Sequence, residues 1–192
     1  MAANAMLVNI VAADASIRDL ASGAWGEAFQ HHGLKLTESE QPASTLLVLD
    51  SPPLWAFSVL EKLTGADLFR TVVATQSTHI IYGDCLRSLG PSGVFVFSDF
   101  RAGLAALLVA ANGPNKPQFE SDLTGAELEV MRRLLQGKST TTIARDLGVA
   151  RSTINTHCSS ILQKTRCTDR TQLVSRILGH YSDQDSNSYL PR

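Results

Sequence analysis

Short apolar runs alternate with stretches of helical periodicity through the first 112 residues. Five runs rich in Val, Leu, Ile or Phe are candidate strands, namely Met6–Ala13, Leu34–Thr37, Thr45–Asp50, Thr71–Thr75 and Gly93–Phe97. The candidate helices are Ala15–His31, Leu54–Leu63, Thr78–Leu89 and Phe100–Ala111. This alternation predicts a doubly wound α/β domain with a parallel sheet over residues 1–112. The interval 38–44 is too short for a full crossover helix, so we expect a stunted connection there.

The pattern changes at a polar segment rich in proline and glycine, NGPNKPQFESD, which begins at Asn112. Such a segment resists helix formation, and residues 113–120 are therefore predicted to be a linker. Beyond it, apolar residues recur at helical spacing, and residues 121–180 are predicted to form a four-helix domain. The signals that delimit these helices are a Thr124–Glu127 capping box, N-caps at Ser139 and Asp169, and the glycines Gly137 and Gly148. Residues 181–192 are predicted to be a disordered tail.

The charges of the chain are divided unevenly, although its formal net charge is only -1. Residues 121–180 carry nine Lys or Arg and five acidic residues, whereas residues 1–120 carry seven and eleven. The C-terminal part therefore suits a polyanion better than the N-terminal part. No apolar run reaches the roughly 18 residues that a membrane span needs, and the first residues lack the features of a signal peptide. We expect a cytoplasmic protein that does not enter a membrane.

The sequence offers little reactive chemistry. The three cysteines, Cys85, Cys158 and Cys167, form no CxxC pair, which argues against a disulfide framework and against a cysteine-built zinc site. No glycine-rich nucleotide-binding motif, nucleophile–base pair or metal-ligand cluster is recognisable. We therefore predict no metal, no cofactor and no catalytic residues, and a protein that is not an enzyme.

Two short helices joined by a glycine-containing turn form a device for binding DNA, in which the second helix lies in the major groove. The predicted helices that follow Ser139 and Ala150, with Gly148 between them, have this arrangement. This part of the chain also resembles the four-helix DNA-binding domain of LuxR/FixJ (NarL-type) transcription regulators. The resemblance is carried by Leu123, Thr124, Glu127, Val130, Gly137, Ser139, Ile143, Ala144, Leu147, Thr153, Ile154, His157, Ile161, Lys164 and Arg170.

The resemblance implies two groups of contacts to double-stranded DNA. Backbone amides, hydroxyls and cations near the start of the third helix suit phosphates, whereas side chains further along face the bases. The residues expected at phosphates are Arg151, Ser152, Thr153 and Lys164. The residues expected at base edges are Asn155, Thr156 and Ser159. For Thr156 and Ser159, solvated helix surface is the alternative interpretation.

Several positions depart from the family pattern or leave two interpretations open. Asn155 and Thr141 stand where the family usually has lysine, and Ala150 replaces a capping serine, which predicts weaker or different DNA recognition. Cys158 is interpreted as core filling, with oxidant sensing as the alternative if its pKa is depressed. The last helix carries an apolar stripe that is either internal core or part of a dimer seam, and it consists of Leu173, Val174 and Ile177.

The first domain resembles the receiver of a two-component response regulator, which has a flavodoxin-like fold. Asp50 ends the third strand at the family's phosphoacceptor position, and Thr75 ends the fourth strand at the position of its switch hydroxyl. Ala12 and Ala13 replace the paired acids that hold Mg²⁺, and no lysine follows the fifth strand near Phe97. Phosphoryl transfer to a carboxylate needs such cations. We therefore expect a degenerate receiver, in which Asp50 accepts hydrogen bonds from the following loop, residues 51–53, instead of a phosphoryl group.

These inferences favour a bacterial, homodimeric, sequence-specific transcription regulator that acts independently of phosphorylation. A regulatory protein or a small ligand at the receiver-like domain is an expected source of its signal, because open α/β sheets bind ligands at the carboxyl ends of their strands. Two alternatives stay open. One is a conventional response regulator phosphorylated at Asp50, and the other is a protein-interaction module that no longer reads DNA.

Overall fold

The computed structural model of the protein describes residues 6–37, 45–111 and 118–179. The chain forms two compact units that divide between Ser121 and Asp122. Strands and helices alternate through the first unit, and the described elements of the second unit are helices. The predicted fold class, a doubly wound α/β domain followed by a four-helix domain, is therefore confirmed. The predicted stunted connection, the predicted tail and most of the predicted linker lie outside the described residues.

A five-stranded parallel sheet forms the centre of the first unit, in the order β2-β1-β3-β4-β5. Its strands are β1 (Met6–Val11), β2 (Leu34–Thr37), β3 (Thr45–Asp50), β4 (Thr71–Thr75) and β5 (Gly93–Val96). The order reverses beside β1, which creates the switch point of a flavodoxin-like fold. The register pairs Asp50 with Thr75, so these two side chains lie beside each other at the carboxyl edge of the sheet.

Helices cover both faces of this sheet. They are α1 (Ala15–His31), α2 (Trp55–Leu60), α3 (Gly65–Phe69), α4 (Ile80–Arg87) and α5 (Phe100–Ala111). Side chains that alternate along a strand point to opposite faces. One face packs against α1 and α5 through Trp25, Phe29 and Leu107. On the other side, Phe57 of α2 packs against Tyr82 of α4, with ring centroids 5.6 Å apart.

The short helix α3 was not predicted from the sequence. The expected helix Leu54–Leu63 ends at Leu60, and the chain turns into α3 after Thr64. The Thr64 hydroxyl donates to the Asp67 carboxylate at 3.3 Å, and Arg70 pairs with the same carboxylate at 2.8 Å. These local polar contacts stabilise a helix of five residues, which is too short for helical periodicity to be recognised.

The second unit consists of α6 (Gly125–Leu135), α7 (Thr140–Leu147), α8 (Arg151–Thr165) and α9 (Arg170–Ile177). The predicted start signals are confirmed: Thr124 and Glu127 form the capping box, and Ser139 and Asp169 cap the helices that follow them. Its core includes the fully buried side chains of Leu128, Met131, Ile143, Ile154 and Ile161. Across the described parts of both units, no helix is long and apolar enough to cross a membrane.

Two glycines in helix interiors provide a matched test of packing in the first unit. A Cβ at Gly103 in α5 would lie 2.5 Å from Cε2 of the buried Phe95, whereas a Cβ at Gly23 in α1 would meet no atom within 4 Å. We expect Gly103→Ala to lower the free energy of unfolding by about 1–3 kcal/mol, because the ring must move. Gly23→Ala should raise it by about 0.5–1 kcal/mol through helix propensity.

Urea unfolding followed by tryptophan fluorescence measures both changes, because the two tryptophans of the chain, Trp25 and Trp55, lie in the first unit. Equal stabilities of the two variants would contradict the close approach of α5 to β5.

Candidate nucleic-acid interface

The helices α7 and α8 follow each other across a tight turn. The Ser139 hydroxyl accepts a hydrogen bond from the Thr142 amide at 3.1 Å and caps α7. Gly148 ends α7 in the left-handed region with φ 66°, a conformation that glycine adopts without the strain of a Cβ. Ala150 precedes α8 and offers no side-chain cap. The first amides of α8 therefore have no side-chain acceptor from the N-cap, and such amides suit an anion.

The polar face of α8 is exposed to solvent over its first turns. The exposed residues are Arg151, Ser152, Thr153, Asn155, Thr156 and Ser159. Ile154 and Ile161 lie on the other side of the helix and are fully buried. Residues three and four apart on a helix are neighbours, so 152, 155, 156 and 159 share one face. The structure thus brings the predicted base-reading residues together on the solvent side of α8.

A buried carboxylate, Glu127, connects α6 to α8. Its side chain is 5% exposed, and it contacts the Lys164 ammonium at 2.7 Å and the Ser160 hydroxyl at 2.6 Å. It also accepts the Thr124 amide at 2.7 Å as part of the capping box. Burial raises the pKa of Glu127, but the hydrogen bonds from Lys164, Ser160 and Thr124 outweigh burial and lower this pKa to about 2. At neutral pH a charged pair therefore fixes α8 against α6.

Lys164, which the sequence places at a phosphate, has internal partners. Besides pairing with Glu127, its ammonium donates to the carbonyl of Asp122 at 3.0 Å, and its side chain is 33% exposed. Loss of this cation would leave a buried carboxylate without its countercharge, which is strongly destabilising. The contacts of Lys164 therefore support the position of α8.

A second buried carboxylate, Asp50, lies at the carboxyl edge of the sheet and is 1% exposed. One of its oxygens accepts the Tyr82 hydroxyl at 2.6 Å and the Thr75 hydroxyl at 3.1 Å, and the other accepts the Ala56 amide at 3.0 Å. Burial raises the pKa of Asp50, and these three hydrogen bonds oppose the rise only in part. All three donors are neutral groups.

The donors to Asp50 differ from the expected ones. The sequence predicts hydrogen bonds from residues 51–53, but Pro52 and Pro53 have no amide hydrogen and the Ser51 amide donates to the Leu49 carbonyl at 2.9 Å. Tyr82 takes their place, and its hydroxyl also accepts the Leu54 amide at 2.7 Å. Burial, and then the charge of Asp50, raise the pKa of Tyr82 above its usual value.

Tyr82 is the residue of this site that sequence reasoning missed. It is fully buried in α4, and a buried tyrosine hydroxyl needs a hydrogen-bond partner. Asp50, with no lysine or paired acids near it in the sequence, needs a donor. Together, these two requirements could have predicted a hydrogen bond between Tyr82 and Asp50.

The resemblance to receivers places the Mg²⁺-binding acids after β1 and a lysine near the end of β5. Ala12 and Ala13 follow β1, and the Asp14 carboxylate accepts the Ile17 amide at 3.0 Å as the N-cap of α1. Phe97, where the resemblance predicts a lysine nearby, packs against Trp25 with ring centroids 4.3 Å apart. Among the described residues, no group of three or more His, Cys, Asp or Glu side chains is arranged to hold a metal ion.

Comparisons with known proteins agree with both parts of this arrangement. Residues 121–177 match the family described as bacterial regulatory proteins, luxR family. The nitrate/nitrite response regulator protein NarL of Escherichia coli K12 is 26% identical, over 77% of this chain and 79% of NarL. The chain is similar to response regulators of the LuxR/NarL type. Its C-terminal domain belongs to the luxR family.

Other known proteins match part of the chain in sequence, or most of it in fold. The monoamine regulon transcriptional regulator of Klebsiella aerogenes is 43% identical over 28% of this chain and 24% of its own. RcsB of Salmonella enterica serovar Typhimurium, solved bound to the promoter rprA, has a TM-score of 0.53 at 18% identity and covers 91% of this chain and 98% of its own. A structure of two RcsB dimers bound to two parallel DNAs has a TM-score of 0.51 at 18% identity, over 90% and 98%.

Most cations of the luxR-family domain have internal partners. Those that pair with carboxylates or donate to backbone carbonyls are Arg132, Arg133, Lys138, Lys164, Arg170 and Arg176. The Arg145 side chain is 79% exposed, 3.9 Å from Asp146. Arg151 and Arg166 are exposed, and neither forms an ion pair within the described ranges. These three arginines are therefore the exposed cations that are best placed to contact a polyanion without breaking a close internal ion pair.

Two of the three residues expected at a dimer seam lie in the core of their own domain. Leu173 and Ile177 are each 1% exposed within a single chain. A side chain buried to this extent offers little surface to a second copy, so for these two residues burial favours the internal-core interpretation. Val174 is half-buried and keeps some exposed surface.

The cysteines of the luxR-family domain fill space rather than form a reactive site. Cys167 is buried, and Cys158 in α8 is half-buried. Burial raises the pKa of the Cys158 thiol, and the nearby charge of Arg170 opposes this rise only in part. A raised pKa lowers the fraction of reactive thiolate, which argues against oxidant sensing at this residue.

The luxR-family domain is expected to lose stability in acid through Glu127. Because the pKa of the folded state, about 2, lies below the ordinary value of 4.5, the contribution of Glu127 is complete above pH 4.5 and is lost as the pH falls through about 2. This contribution is on the order of 2–3 kcal/mol. Glu127→Gln should be less stable at pH 7 and should depend less on pH between these values.

Hydrogen exchange of the α6 and α8 amides, corrected for intrinsic rates, measures this stability in one domain. Asp169→Asn is the matched control, because it removes an exposed N-cap carboxylate of the same domain whose pKa is also lowered. If the stability of the original protein and that of Glu127→Gln changed with pH in parallel, a group other than Glu127 would be responsible for the loss of stability in acid.

Proposed function

We propose that this LuxR/NarL-type regulator is a sequence-specific DNA-binding transcription regulator with α8 as its recognition helix. The exposed polar face of α8 carries the proposal, since it lies opposite the buried Ile154 and Ile161. A helix presented in this way, with no side-chain cap at its N-terminus, has the size and polarity to enter a major groove. The fold shared with RcsB, which was solved on promoter DNA, supports the same function.

Each exposed residue of α8 suits a particular part of DNA. Asn155 can pair bidentately with adenine, because its amide both donates and accepts. The Thr156 hydroxyl already donates to the Ser152 carbonyl at 3.1 Å, so its methyl group is the part suited to thymine. Ser159 completes the base-facing set, and the expected phosphate contacts are Arg151, Ser152 and Thr153. Lys164 contributes by holding α8 through Glu127.

The regulator is proposed to bind as a homodimer. A structure of RcsB contains dimers on DNA, and two copies of a recognition helix read two half-sites related by two-fold symmetry. Of the three apolar residues of α9, Val174 has surface available for a seam, and Leu173 and Ile177 support it from the core.

The receiver-like domain is proposed to act without phosphorylation of Asp50. Attack on a phosphoryl donor requires an accessible carboxylate oxygen and cations that stabilise the transferred group. Asp50 is 1% exposed, and both of its oxygens already accept hydrogen bonds from Tyr82, Thr75 and Ala56. The signal would then be the abundance of the regulator, a regulatory protein or a small ligand.

Selection of duplexes from a random pool tests DNA reading. We expect the full chain to enrich an inverted repeat, and Asn155→Ala to weaken binding to it by about 10-fold, which corresponds to the loss of one bidentate base contact. Thr171→Ala, an exposed position of α9, is the matched control and should stay within about 2-fold of the original affinity. Failure of the folded protein to enrich any sequence at low salt would favour the protein-interaction module instead.

Intact-mass spectrometry after incubation with acetyl phosphate and Mg²⁺ tests the role of Asp50. We expect no phosphoryl adduct, and we expect Asp50→Asn to bind the selected duplex with unchanged affinity. An adduct that disappears in Asp50→Asn would restore the conventional phosphorylated response regulator. A typical receiver treated in parallel shows that the phosphodonor is active.

A further inference from the structure

A third buried carboxylate, Asp84 in α4, binds the segment that precedes the luxR-family domain. The Asp84 side chain is 0% exposed. It accepts the Glu120 amide at 3.0 and 3.1 Å, one distance to each oxygen, and the Ser121 amide at 2.7 Å. Burial of a carboxylate is unfavourable unless several donors satisfy it, and two of its donors come from this segment.

Arg87, one turn further along α4, joins the same cluster. Its guanidinium pairs with Asp84 at 2.9 Å through one nitrogen and with the Glu120 carboxylate at 2.7 Å through the other. Gly83 leaves room for this arrangement, since a Cβ there would lie 3.2 Å from the same Arg87 nitrogen that contacts Asp84. The segment is therefore bound to α4 in two ways. Arg87 forms an ion pair with the Glu120 carboxylate, and Asp84 accepts hydrogen bonds from the backbone amides.

This cluster lies close to the luxR-family domain along the chain, so it affects the length of the connection to that domain. Only Asp122 and Leu123 separate Ser121 from Thr124, the N-cap of α6. While residues 120 and 121 are bound to α4, only these two residues connect them to the start of the luxR-family domain. If they were released, the connection would lengthen toward α5, and the luxR-family domain would reach over a larger volume.

The same helix also closes the Asp50 site. Tyr82 and Asp84 are two residues apart, so they lie on nearly opposite sides of α4. Tyr82 donates to Asp50 on one side, and Asp84 holds residues 120 and 121 on the other. A shift of α4 would therefore disturb both contacts together.

We propose that Asp84, Arg87 and Glu120 form a latch within the first unit, which holds the connecting segment on α4 and limits the reach of the luxR-family domain. The latch itself does not depend on the proposed function, whereas its effect on DNA binding does. Two independent measurements on the full chain keep these statements apart.

Hydrogen exchange of the Glu120 and Ser121 amides tests the latch directly. In the original protein both amides should exchange at least 100-fold more slowly than in an unstructured peptide. Asp84→Asn should accelerate them at least 10-fold, and Glu120→Ala, which removes only the exposed carboxylate arm, should accelerate the Ser121 amide about 3-fold. Asp67→Asn, which removes a surface ion pair of the same unit, is the control and should leave both rates unchanged. Tryptophan fluorescence confirms that each variant is folded.

Unprotected amides in the original protein, or unchanged rates in folded Asp84→Asn, would overturn the latch. Affinity for the selected duplex tests its consequence, and Asp84→Asn and Glu120→Ala should change that affinity in the same direction, by at least 3-fold for Asp84→Asn. If Asp84→Asn accelerated exchange of the Glu120 and Ser121 amides but left the affinity for DNA unchanged, the proposal that the latch limits the reach of the luxR-family domain would be wrong. Failure to select any duplex would count against the proposed function alone, because the exchange rates would still decide whether the latch exists.

Discussion

The hydrogen bond from the Tyr82 hydroxyl to Asp50 organises the carboxyl edge of the sheet. A carboxylate at 1% exposure must be satisfied by donors, and no cation is among the contacts described for it. Tyr82 supplies the shortest of these contacts and accepts the Leu54 amide with the same hydroxyl. One oxygen atom thus joins the end of β3, the loop before α2 and the first turn of α4. Tyr82 belongs to α4, the helix that also carries Asp84.

Two of the buried carboxylates, Asp50 and Glu127, have different hydrogen-bond donors, and their pKa values shift in opposite directions. Asp50 has neutral donors, and burial raises its pKa. Glu127 has the Lys164 ammonium among its donors, and its pKa falls to about 2. The Lys164 ammonium is among the groups that lower the pKa of Glu127, whereas only neutral donors oppose the effect of burial on Asp50. Protonation of Asp50 would break no ion pair among the described residues. Protonation of Glu127, in contrast, would break its ion pair with Lys164 in the luxR-family domain.

Local signals in the sequence were sufficient for most of the fold. The apolar runs of β3 and β4 and the caps at Thr124, Ser139 and Asp169 act within a few residues of one another, so the sequence displays them directly. Contacts between distant residues were not visible, such as Tyr82 with Asp50, 32 residues apart, or Lys164 with Glu127, 37 residues apart. Ala12 and Ala13 were the basis for predicting a degenerate receiver, but the hydrogen-bond donors around Asp50 depend on tertiary packing. Helical periodicity likewise indicated the apolar residues of α9, but it did not show whether their own domain or a second copy of the chain buries them.

The internal pairing of most cations in the luxR-family domain affects how ionic strength would act on this protein. Each phosphate neutralised by a cation contributes about 0.9 to the slope of log affinity against log salt concentration. The exposed arginines of each domain, Arg145, Arg151 and Arg166, would together contribute a slope of about 5 for two copies on DNA. Counterion release would then supply a limited part of the affinity, and base-edge hydrogen bonds and contact area a larger part. Occupancy of a regulatory site would therefore vary less with cellular osmolarity than it does for proteins that bind DNA through many free lysines.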